Sequence, residues 1–187
     1  QKEEQGVQAG RCLVNSSWTP PVVLEQLVSG QAMLHRVTVP EGKTWWEVAA
    51  IMEQNEMCLA SDFTTVIFDP EFLQHWGIPF PSAEGFLYPD TYLMLQPEVM
   101  DMRSARSAAN RLAETFWRRT ASLGPEGQRP HAETLRRVGT LASIVEKETG
   151  VGGERGMVAG VYANRLAKNM LLQADPTVIY GMGQAFS

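Results

Sequence analysis

The chain has 187 residues, of which 44% are hydrophobic and 20% charged, and a formal net charge of −5. That is an ordinary globular composition, long enough for one large domain or two small ones with real cores. No run of Lys and Arg exceeds two, so the concentrated basic face that phosphate binding needs is missing, and no apolar stretch reaches the ~20 residues that cross a bilayer.

The opening QKEEQGVQAG is polar, without the basic-then-apolar order of a signal peptide, and the chain lacks an initiator Met. It reads as a piece of a longer precursor. Cys12 and Cys58 form either one disulfide or two unpaired core positions. His35, His75 and His131 are scattered, with no ligand partner at helical spacing, so no metal site and no cofactor is expected.

In chain order, PPVVLEQLVSG carries Val22, Val23, Leu27 and Val28 and stops at Gly30, which predicts a short helix. MLHRVTVPEGKT alternates like a strand and turns at its Pro-Glu-Gly. TWWEVAAIMEQ predicts a helix with Thr44 as N-cap and Glu47 completing a capping box. Trp45 and Trp46 either stack on a sugar or belong to the core.

DPEFLQHWGIPFPSAEG, rich in Pro and Gly, reads as a connection, and it divides the chain into residues 1–80 and 81–187. EGFLYPDTY, residues 84–92, sets Phe86, Tyr88 and Tyr92 around a Pro-Asp pair. It predicts a turn or extended segment that is either a buried plug or the wall of a cleft. VMDMRSARSAANRLAETFWRRTA predicts a long amphipathic helix with Ala109, Leu112, Phe116 and Trp117 facing inward. Two further helices are expected over about 131–149 and 153–168, followed by an extended or turn-rich tail, MLLQADPTVIYGMG. The fold class is therefore α+β, with strands in the first half and helices dominating the second.

Within LASIVEKETG, residues 141–150, two glutamates flank a lysine. At ~100° per residue, Leu135, Val138, Leu141, Ile144 and Val145 form one stripe, and Glu148 continues it. Glu146 and Lys147 point away and read as the solvated pair. A carboxylate on an apolar face at a helix C-terminus has its ionised form disfavoured by burial and by the helix dipole, as a proton donor near neutral pH requires. The alternative is a Glu148 salt-bridged to Arg155 or Arg165 at a helix junction. On the next helix Met157, Val158, Val161, Tyr162 and Leu166 form the expected packing side, and Asn164 and Arg165 lie near its end. In the tail, Gln173, Asp175, Thr177 and Tyr180 interleave with apolar residues beside a Pro turn. They either line a cleft with hydrogen-bonding groups or build a capped turn.

The motifs EGFLYPDTY, LASIVEKET, ERGMVAGVYANRL and LLQADPTVIYGMG, in this order and spacing, closely resemble the MltG (YceG-like) family of endolytic murein transglycosylases over about residues 84–184. LHRVTVPEGKTWWEVAAIM looks like that family's small LysM-like module. The resemblance implies a LysM-like module followed by a mainly helical catalytic domain, which continues in family members past the point where this chain stops. It implies a bacterial cytoplasmic-membrane protein, anchored by an N-terminal helix, that acts on peptidoglycan outside the membrane. The implied reaction cleaves the glycan between N-acetylmuramic acid and N-acetylglucosamine without water, leaving 1,6-anhydro ends. The family's catalytic glutamate maps onto Glu148. Asn164, Gln173, Asp175 and Tyr180 are then expected to position the sugar, with Tyr88 and Asp90 as further cleft-wall candidates and Asp175 or Glu84 as the second carboxylate a hydrolase would need. Penicillin-binding proteins are the partners that setting implies. A hydrolytic muramidase and a non-catalytic glycan-binding or scaffold module are the alternatives.

Overall fold

A computed structural model describes residues 15–29, 34–124 and 129–183; Cys12 lies outside them. The fold is helix-rich α+β with one two-stranded sheet. Helix α1 (Pro20–Ser29) precedes strand β1 (Leu34–Thr38), which pairs antiparallel with β2 (Thr91–Leu95) from Leu34 opposite Leu95 to Thr38 opposite Thr91. One side of this ribbon turns Val37 and Tyr92, paired across the strands, into the core.

Between the strands lie three helices, α2 (Trp45–Gln54), α3 (Ala60–Ile67) and α4 (Pro70–Trp76). The expected capping box starts α2: Glu47 accepts from the Thr44 N–H and hydroxyl, both at 2.9 Å, and Lys43 adds an ion pair at 2.6 Å. Burial disfavours the Glu47 carboxylate, but these donors outweigh it and hold its pKa down to about 2.

The first part of the segment expected to be a connection is in fact helical. Asp69 caps α4 by accepting from the Glu71 N–H at 3.0 Å, Pro70 occupies the first turn, and Gly77 ends the helix in the left-handed conformation at φ 65°. Pro at the start and Gly just past the end is the normal asymmetry of a short helix. The proline and glycine that suggested a loop are its punctuation.

Helix α5 (Met102–Thr120) packs on α3 and buries Ala105, Ala108, Ala109, Leu112 and Ala113, four of them alanines small enough to let a neighbouring helix approach closely. Trp117 continues that face as expected, and Phe116 packs partly buried against it. Together with Met52, Phe63, Ile67 and Phe72 they form the larger of two hydrophobic clusters, which draws residues from 37 to 117. Cys58 is buried in it as a free thiol.

The chain then runs through α6 (Ala132–Thr134), a π-helical turn (Leu135–Gly139) and α7 (Thr140–Glu148) as one rod. The π turn breaks the single stripe expected from uniform helical periodicity. Leu135 packs on the larger cluster, Val138 is exposed, and Ile144 and Val145 enter a second cluster with Tyr162 and Ala174. Helix α8 (Arg155–Ala167) crosses α7, and α9 (Asp175–Met182) follows where a turn-rich tail was expected. On α8 only Val158, Ala159 and Tyr162 pack on α7, whereas Met157, Val161 and Leu166 of the expected packing side are exposed. Among the described residues no helix is long and apolar enough to cross a membrane.

Candidate active site

Three helices meet around an open cleft of about 240 Å³ lined by Glu148, Val158, Val161, Tyr162, Arg165, Gln173 and Asp175. Glu148 is the last residue of α7, because Thr149 turns extended at φ −141° and ψ 130°. Thr149 locks that exit: its own N–H still donates to the Val145 carbonyl, and its hydroxyl donates to Glu154 at 3.0 Å while accepting the Val151 N–H.

Glu148 lines the cleft as one branch of the sequence reading required, but it is exposed to solvent rather than buried. As the last residue of α7, Glu148 stands past Ile144 and Val145, where the packed stripe ends, at the rim of the cleft. It is also not the salt-bridged residue. Arg155 pairs with Glu146 at 3.1 Å, and Arg165 donates to the Leu172 carbonyl. The partner of Glu148 is Tyr162, whose hydroxyl donates to Oε1 at 2.7 Å.

The Tyr162 ring is 6% exposed, and its pKa is raised by burial first and then by the hydrogen bond and charge of Glu148. A phenol of this kind keeps its proton at neutral pH and serves as a fixed donor. The Arg165 guanidinium lies 5.9 Å from the centroid of that ring, so a positive charge joins the cleft wall.

Gln173 holds φ at 51°, a left-handed backbone uncommon outside glycine and costing on the order of 1 kcal/mol, of the kind that clusters at ligand sites. Asp175 opens α9 with Pro176 beside it, its side chain on the same cleft.

The structure thus brings Glu148, Gln173 and Asp175 together, and leaves Asn164, Tyr180 and Tyr88 outside the cleft lining. Asn164 is exposed on the flank of α8. Tyr180 stacks on Trp46 with ring centroids 5.7 Å apart. Tyr88 sits by the sheet, where its carbonyl accepts the Tyr92 hydroxyl, and the neighbouring Asp90 pairs with Arg119 at 3.1 Å. Glu84 is likewise elsewhere, accepting the Trp45 N–H at 2.8 Å. Tyr162 and Arg165 are the residues sequence reasoning placed in other roles. Their spacing of three on one helix face, opposite the end of α7, is the signal that could have found them. Among the described residues no group of three or more His, Cys, Asp or Glu could hold a metal ion.

The family model described as YceG-like matches residues 1–187, the full chain. The chain belongs to the YceG-like family. Curated relatives of the same kind include an endolytic murein transglycosylase of Bacillus subtilis, 25% identical over 98% of this chain and 54% of that protein. Another is an endolytic murein transglycosylase of Streptococcus pneumoniae, 24% identical over 98% of this chain and 37% of that one. The crystal structure of a YceG-like protein from Listeria monocytogenes superposes with a TM-score of 0.65 at 25% identity, covering 95% of this chain and 62% of that one. The chain therefore spans about half the length of the Bacillus relative, 54%, and less of the streptococcal one, 37%.

Proposed function

We propose that the protein is an endolytic peptidoglycan lytic transglycosylase with Glu148 as its single acid–base group. The observation that carries this reading is the pose of Glu148, exposed at the end of α7 on a cleft, with Oε1 held by the Tyr162 hydroxyl. Its membership of the YceG-like family and the names of its curated relatives point the same way.

In this reading the protonated Glu148 donates to the glycosidic oxygen between N-acetylmuramic acid and N-acetylglucosamine, and the C1–O bond breaks to an oxocarbenium-like state. The muramoyl 6-hydroxyl then attacks C1 and returns its proton to the Glu148 carboxylate, so the acid is regenerated and no water is consumed. The product is a 1,6-anhydro end. Tyr162 orients the carboxyl group throughout. Gln173 and Arg165 offer donors, and Asp175 an acceptor, for the N-acetyl and hydroxyl groups of the sugars. Tyr180, stacked on Trp46, flanks the path of a longer strand. Asn164 and Tyr88, outside the cleft lining, are proposed only as contacts for sugars further along the strand.

The same reading includes the two-part division, a LysM-like segment in residues 1–80 and a catalytic part in residues 81–187. It also includes a parent protein anchored in the cytoplasmic membrane with this part on the outer side, working beside penicillin-binding proteins.

One observation favours examining hydrolysis as well: Asp175 shares the cleft with Glu148 and could serve as a second carboxylate. Mass spectrometry of products from purified glycan strands separates the readings. Anhydromuramoyl ends support the transglycosylase, free reducing ends assign a hydrolase using Asp175, and intact strands that stay bound identify a glycan-binding module.

A further inference from the structure

The two charges before Glu148 border the N-terminal module, Glu146 through Arg155 and the exposed Lys147 beside Gly42. Arg155, the first residue of α8, holds Glu146 of α7 at 3.1 Å and Glu41, in the turn after β1, at 3.4 Å. Lys147 lies across that same turn, with its Cε and Nζ 3.8 Å from where a Cβ on Gly42 would sit. Its charge bears on Glu84, which accepts the Trp45 N–H at the first residue of α2. Next along α2, Trp46 stacks on Tyr180 of α9. Residues 41–46 therefore touch all three helices that surround the cleft.

We propose that Glu146, Lys147, Arg155 and Glu41 are positioning residues that tie the last turn of α7 to the N-terminal module and so fix the pose of Glu148. This rests on the reading of Glu148 as the catalytic acid. The last carbonyls of a helix lack intrahelical partners, so its final turn is where a side chain loses definition first. A general acid must reach the glycosidic oxygen within hydrogen-bond distance, and a misplacement of about 1 Å can cost about a hundredfold in rate. The Arg155 and Glu41 side chains are 42% and 67% exposed, and pairs this wet contribute little to stability. What they fix is geometry.

The test uses the full-length protein with Glu41→Gln, Arg155→Met, Arg155→Lys and Lys147→Met, and two readouts. One is kcat and KM on purified glycan strands. The other is the titration of the Tyr162 phenol, followed by NMR of ring-labelled tyrosine and assigned with Tyr162→Phe, which reports the Glu148 hydrogen bond without turnover. Glu41→Gln, Arg155→Met and Lys147→Met are expected to lower kcat about tenfold with KM held, while the Tyr162 titration moves down toward that of an ordinary tyrosine. Arg155→Lys should recover part of both. Wild-type kcat and wild-type Tyr162 titration in Glu41→Gln and Arg155→Met would overturn the proposal. If the unaltered protein makes no product, the catalytic reading has failed, and the Tyr162 titration alone decides positioning, with no movement overturning it. Should Arg155→Met not fold, Glu41→Gln, in an exposed turn, carries the test by itself.

Discussion

Replacing Tyr162 by Phe deletes one hydroxyl and keeps the ring. The ring stays buried against Ile144, Val145 and Ala174, so the packing term is unchanged. What is lost is one hydrogen bond of 2.7 Å to a carboxylate. Bonds to charged groups contribute about 1.5–3 kcal/mol, but Glu148 is exposed, water replaces the donor, and about 1 kcal/mol is the sounder figure. At 1.36 kcal/mol per decade, kcat/KM should fall about fivefold, and in a domain of this size the thermal midpoint should drop by about 2–4 °C. Tyr162→Ala removes the ring as well and should cost about 3–5 kcal/mol. Calorimetry on both variants and turnover on purified peptidoglycan measure these quantities. A Phe variant as destabilised as the Ala variant would refute the separation of packing from hydrogen bonding, and a Phe variant as fast as the parent would refute the orienting role.

Cys58 should resist alkylation in the native state and react only on unfolding, because burial and then the charges of Asp62 and Glu53 push its thiol up to about 12; this is checked in a Cys12→Ser background by mass spectrometry. Cys58 and Tyr92, both raised to about 12, keep protons that the unfolded chain releases. Their contribution to stability is therefore complete below the ordinary thiol value of 9.0 and is lost as pH rises from there toward about 12, which melting temperatures across that range would show. Glu47 has the opposite sign: held near 2, its contribution is present above 4.5 and lost as pH falls between those values, so Glu47→Gln should flatten the acid limb of the stability curve.

Much of this architecture was legible in the sequence where local chemistry and burial agree. Thr44 and Glu47 announced the start of α2, and the alanine and leucine stripe announced α5. Helices α3 and α9 were not anticipated. At 8 residues each they are too short for periodicity to show, and α3 carries Thr64, Thr65, Val66 and Ile67, residues whose preference is for strands. Only packing against α2 and α5 makes α3 helical. The wheel put Glu148 in line with Ile144 and Val145 and misjudged its burial, since periodicity does not show that α7 ends at that residue. Tyr162 was taken for packing because a buried ring looks the same in sequence whether or not its hydroxyl reaches a carboxylate. The surroundings of Arg155 and Lys147 were invisible because Glu41, Gly42 and Glu84 lie far along the chain.

The most direct measurement compares the full-length protein with its Glu148→Gln variant on purified peptidoglycan, with products read by mass spectrometry and strand binding measured in parallel. Gln keeps the shape and can still accept from Tyr162, so folding and binding should persist while anhydromuramoyl products disappear. Anhydro products at the wild-type rate in a folded Glu148→Gln protein would contradict the assignment and move the acid to another residue.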